Sequence, residues 1–190
     1  MTARRIQGLA LLATLAALPA SAQSGREHFI QPDTALDAPH AVQQTAFLVL
    51  RDSTSTIAAA GARLMSDMTP NSSLAWMQGR AGSVAEACAR SVAPLAEARK
   101  VTAAGEWPRD NQRKAQADLL KEMTKFSEEL GDCQTRWKAL AAEKDRDTLR
   151  ENAPYQMKQL RDRLDQFNRV AGTYLRYISV KLPPPGAARP

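Results

Sequence analysis

Cys88 and Cys133 are the chain's only cysteines, and their spacing decides what chemistry they suit. They form no C-x-x-C pair, so they read as a structural disulfide rather than a redox dithiol. A bridge closing a loop of this length restricts the unfolded chain by roughly 4 kcal/mol. Such a bridge needs an oxidising compartment, and the amino terminus supplies the address for one. Arg4 and Arg5 precede the apolar run from Leu9 to Leu18, and Ala20, Ser21 and Ala22 form a small-residue cleavage site before Gln23. Residues 1–22 are therefore expected to be a secretory signal peptide, and the mature protein to be periplasmic or secreted. No cysteine follows the cleavage site to take a lipid anchor, and no later run reaches the ~20 apolar residues of a membrane helix.

Other reactive residue types are sparse. His28 and His40 are the only imidazoles, and both fall at or before the start of the first expected helix. A Ser-His-Asp arrangement there would stand on a leader segment, where the rigidity that catalysis needs is lacking. His28, Asp33, Asp37 and His40 have no recognised zinc spacing. The chain has no C-x-x-C-H haem attachment site, no E-x-x-H pair and no phosphate-binding glycine loop. Met123 and Met157 lie on apolar stripes and read as core rather than as metal ligands, and Met65 carries no better signal. No cofactor and no catalytic activity are expected. Trp137 is expected to anchor the core and Trp76 to pack, while Trp107, beside Pro108, suits either a helix end or a partner.

One segment has the charge pattern of a contact surface. After Asp165 the chain has no acidic residue but carries Arg169, Arg176, Lys181 and Arg189, with Tyr174 and Tyr177 interleaved. Cations near a helix carboxy terminus are favoured by the helix dipole at ~0.3 to 1 kcal/mol each. The same pattern suits a contact of Arg169, Tyr174, Arg176, Tyr177 and Lys181 with an anionic surface. The net charge is unevenly spread. Residues 23–98 hold 5 basic and 7 acidic side chains, residues 99–190 hold 19 and 13. An exported protein has little access to nucleic acid, so the partner expected of the basic half is an envelope component or an acidic protein.

The elements that must position these residues read as helices. Alanine is abundant, glycine scarce and aromatics few. After a leader over 23–37, a first helix is predicted from Asp37 to about Met68, with Val42, Ala46, Val49, Ser53, Ile57, Ala60 and Leu64 as its buried stripe and Phe47 and Leu50 widening it. A second helix follows Thr69 and Pro70 on the stripe Met77, Ala81, Val84, Cys88, Ser91 or Val92, and Leu95, kinked or split at Pro94. The third, Asp110 to Lys144, carries the cleanest seam: Leu119, Met123, Phe126, Leu130, Cys133, Trp137 and Leu140. A fourth is predicted to open at Asn152 or Ala153 with Pro154 and to run to about Lys181, ahead of a Pro-rich disordered tail over 183–190.

Four such helices joined by short turns predict an all-α, up-down-up-down four-helix bundle over 38–182 with coiled-coil-like packing. The seams of the third and fourth helices suit pairing between chains as well. The expected function is that of a non-enzymatic binding or envelope-associated interaction module. The alternatives are a small-molecule or haem carrier, suggested by the weak apolar filling around Ser53 to Thr56, and a holdase chaperone.

Overall fold

A computed structural model describes residues 37–184 of the chain. The expected signal peptide, the leader up to Leu36, His28, Asp33, and the tail beyond Pro184 lie outside the described residues. Within them the helices start and stop where capping chemistry allows. Asp37 caps α1 (Ala38–Asp67), accepting from the His40 backbone N–H, with Pro39 in the first turn where its missing N–H costs nothing. Ser73 caps α2 (Leu74–Ala104) by accepting from the Trp76 N–H. At α3 (Asp110–Ala141), Gln112 reaches back to accept from the Arg109 N–H. Asp145 caps α4 (Arg146–Tyr177) through the Thr148 N–H.

Pro154 departs from expectation, and at Pro94 the split is excluded. Pro94 lies inside α2, and the helix runs through it unsplit. Pro154 does not open the fourth helix but sits inside it, because the Asp145 cap starts α4 at Arg146. Each proline removes one helical N–H and crowds the carbonyl four residues before it, a cost of about 3 kcal/mol that packing of the flanking turns has to offset. Pro154 is exposed while Leu149, Ala153 and Met157 on either side are buried.

The fourth helix ends in a six-to-one, five-to-two hydrogen-bonded cap: Val180 N–H donates to Leu175 O and Ser179 N–H to Arg176 O. Ser179 holds the left-handed conformation, φ 60°, that this cap usually gives to glycine. The reversal buries Ile178 and Val180 and turns the chain back over α1. There Gln44 Nε2 donates to Lys181 O at 2.7 Å and the Arg51 guanidinium to Pro183 O. Two side chains of α1 thus hold backbone carbonyls of the segment that follows α4.

The helices form the expected four-helix bundle, each packed on its sequence neighbours, with α2 against both α1 and α3 and α4 closing on α3. Thirty residues at about 1.5 Å rise make each helix about 45 Å long. The fully buried Trp137, Tyr174 and Phe126 dominate the core, and Phe126 stacks on Phe167 across the α3–α4 interface at 4.5 Å. Few points of α1 approach α4 closely; Met157 fills the notch at Gly61, and the Phe47 and Tyr174 rings meet at 6.0 Å. Cys88 and Cys133 are joined as a disulfide between α2 and α3, Cα atoms 6.2 Å apart. The bridge therefore forms without any break of α2 at Pro94.

The buried stripe of α1 corrects the one read from sequence. Gln43, Ala46, Phe47, Leu50, Thr54, Ile57, Gly61 and Leu64 face the core. Val42 and Val49 do not: they are 53% and 41% exposed. Both stripes have three-and-four spacing, and the bundle adopts the one that buries Phe47 and Leu50, whose larger apolar area outweighs two valines. In α2 the choice left open falls on Ser91, which is buried, while Val92 is exposed.

Candidate functional site

The expected contact residues at the carboxy-terminal end do not all reach the surface. Tyr174 is a correction: it is fully buried, because a residue seven positions after Phe167 falls on the same inward face of α4. Its hydroxyl accepts from Trp107 Nε1 at 3.1 Å, and the two rings meet edge to face. Burial pushes the Tyr174 phenol up to about 12, against a smaller opposing pull from the Trp107 N–H. Trp107 is itself buried, with the His40 ring 5.2 Å from it, which settles it as a packing residue. His40 is thereby committed to the end of the bundle, and it holds the Asp37 carboxyl below the usual carboxylate range by hydrogen bonding.

Arg169, Arg176, Tyr177 and Lys181 are exposed. Arg169 and Arg176 stand seven residues apart and so share one face of α4. Arg169 bonds to Gln166, and Asp162 and Asp165 share a shallow surface depression with it. Arg176 bonds only to the neutral Thr173 hydroxyl, at 3.3 Å. The Gln112 amide donates to Tyr177 O at 3.0 Å, which brings the start of α3, with its exposed Arg109, to the same end. The cationic edge is thus Arg176, Tyr177 and Lys181, with Arg109 added from a distant part of the sequence. Arg109 was not legible as a member, since only the α3–α4 register puts it there.

Sequence reasoning also missed a second surface. A groove of about 380 Å³ runs between the outer faces of α1 and α2 at the end away from their connecting turn, lined by Val42, Thr45, Val49, Pro94, Glu97 and Val101 among others. Its register is fixed from below: Gln43 Nε2 donates to Val101 O at 2.9 Å, and the Ser53 and Ser91 hydroxyls bond at 2.8 Å. In this antiparallel pair Val42 lies opposite Val101 and Val49 opposite Pro94. The signal for this groove was the second three-and-four stripe on α1, read as core because α1 has so few charges to mark its outer face.

The region of light apolar filling is closed by hydroxyls. Thr54 is buried and its hydroxyl donates to Arg51 O, while Ser53 bonds across to Ser91. Of the methionines, Met123 and Met157 are buried on their stripes and Met65 is half-buried. Trp137 is in the core as expected, and Trp76 packs at the start of α2 with Arg80 over its ring. No described helix is long and apolar enough to cross a membrane. Compared with protein-family models, with curated proteins and with solved structures, the chain matches none.

Proposed function

We propose that this chain is an exported, non-enzymatic binding module that contacts an anionic component of the cell envelope through the carboxy-terminal edge of α4. The reading rests on one observation: Arg176, Tyr177 and Lys181 are exposed together at an end of the bundle where the chain has no acidic residue after Asp165. Among the described residues Arg176 and Lys181 form no ion pair, although Asp37, Glu106 and Asp110 lie at the same end of the bundle, so both cations are available to phosphate or carboxylate outside the molecule. A half-exposed tyrosine beside them supplies an amphipathic ring suited to a headgroup boundary. The disulfide between α2 and α3 is in keeping with an oxidising compartment and so with the signal-peptide reading.

The test is co-sedimentation of the purified protein with vesicles containing 30% anionic lipid and with neutral vesicles. Binding should be confined to the anionic vesicles, should fall at least tenfold in Arg169→Gln/Arg176→Gln/Lys181→Gln, and should be lost in 0.5 M salt, where exposed charges are screened within a few ångströms. Equal binding by the triple variant, or no binding to anionic vesicles at low salt, overturns the proposal.

A further inference from the structure

The segment that follows α4 alternates its side chains between core and solvent. Ile178 and Val180 are buried and Leu182 packs half-buried on the core, whereas Ser179 and Lys181 between them are exposed. It is fastened less firmly than the helices it joins. Beyond Val180, the hydrogen bonds that hold it among the described residues come from two α1 side chains, the Gln44 amide to Lys181 O and the Arg51 guanidinium to Pro183 O. Pro183 and Pro184 have no N–H with which to add a backbone bond. The hinge is strained, because Ser179 holds a φ of 60° at which a Cβ crowds its own backbone. Segments with few hydrogen bonds and a strained hinge are the first to open by local unfolding.

In water that opening is held back, since it exposes Ile178, Val180 and Leu182. A lipid surface removes the penalty, because the acyl boundary takes the same three side chains out of water again. The residues beside them suit that destination. Tyr177, 45% exposed, offers an amphipathic ring for the headgroup level, and Lys181 can keep its ammonium among phosphates while its apolar stem lies deeper. The apolar burial is thus exchanged rather than lost. What tips the balance is the relaxation of Ser179 and the attraction of Arg176 and Lys181 to anionic headgroups. A soluble polyanion offers the same charge but no apolar destination, so the two kinds of partner separate.

We propose that residues 178–184 form a latch, closed on α1 in solution and opened at a lipid bilayer so that Ile178, Val180 and Leu182 enter its acyl boundary. The latch deepens the envelope contact on which it rests, by making the partner a lipid surface rather than a soluble polyanion.

The reporter is Pro184→Cys labelled with an environment-sensitive nitrobenzoxadiazole dye, the native cysteines being joined to each other. With vesicles containing 30% anionic lipid, its emission should shift to the blue and be quenched by bromine on the lipid acyl chains. Inorganic polyphosphate should produce neither change. Gln44→Ala/Arg51→Ala, which unties the latch, should bind these vesicles at least threefold more tightly although it has lost a positive charge. Ser179→Gly, which relaxes the closed hinge, should bind about twofold more weakly. Vesicle binding without a blue shift, or weaker binding by the untied variant, overturns the latch and leaves the envelope contact standing. A blue shift that is equal on neutral vesicles and survives in Arg169→Gln/Arg176→Gln/Lys181→Gln overturns the role of charge in the envelope contact and supports the latch. No blue shift with either kind of vesicle overturns the latch.

Discussion

α1 and α2 carry ten charged side chains between them, whereas α3 and α4, of nearly equal length, carry twenty-three. The two halves reach burial by different routes. In α3 and α4 more than half of the exposed positions are charged, which sets the outer face apart from the apolar seam. Their seam is filled by large side chains: Leu119, Met123, Phe126, Leu130 and Trp137 on α3, met by Leu160, Leu164 and Phe167 on α4. In α1 and α2 most exposed positions are small and neutral, with charge at Arg63, Asp67, Glu86, Arg90, Glu97, Arg99 and Lys100, and the buried stripe contains alanine, glycine, serine and threonine beside a few leucines. One half is thus specified by contrast between its faces, the other by the size of a few side chains.

The covalent link between the halves gives the largest expected effect. Replacing Cys88 and Cys133 together by Ser removes the bridge from α2 to α3. Stability in urea should fall by about 4 kcal/mol on the loop-entropy account. A loss under about 1 kcal/mol would mean that the two halves hold together without it.

Matched truncations test the difference directly. Leu130→Ala in the charged half should cost about 3 kcal/mol, as expected for a fully buried leucine. Val49→Ala in the neutral half should change the stability of the monomer by no more than about 0.5 kcal/mol. Both residues sit on three-and-four stripes, so comparable losses would show that Val49 is buried in solution.

The aromatic contact that ties the α2–α3 connection to α4 gives a pH signature. The Tyr174 phenol ordinarily ionises near 10.0 but holds its proton to about 12 in the folded protein. Its contribution is therefore complete below pH 10 and is lost as pH rises through the window from 10 to 12, on the order of 2 kcal/mol. In Tyr174→Phe this part of the alkaline decline should disappear. The same variant should lose about 1 to 2 kcal/mol at neutral pH, because the Trp107 N–H is left without its acceptor. Denaturant melts at pH 8, 10 and 11.5 separate the two effects.

The smallest effect is a gain, at the strap that carries the chain from α4 back to α1. Ser179→Gly should stabilise the protein by about 0.5 kcal/mol, since glycine adopts a φ of 60° without the contact that a Cβ makes there. A thermal midpoint unchanged or lowered would indicate that the strap is not formed in solution.

The helix count, the start of α1 at Asp37, the seam of α3 and the pairing of the two cysteines were all legible in the sequence. Each depends on local chemistry: a capping carboxylate, a period of three and four against charged flanks, two thiols with no other partner. Tertiary packing decided what local chemistry left degenerate. It selected Phe47 and Leu50 over Val42 and Val49, because burying an aromatic ring and a leucine removes more apolar area from water than burying two valines. It carried α2 through Pro94 and α4 through Pro154, because contacts along whole helices exceed the cost of one missing hydrogen bond. It buried Tyr174 against Trp107 and brought Arg109 to Arg176, Tyr177 and Lys181, because only the register of α3 on α4 determines which distant residues share an end of the bundle.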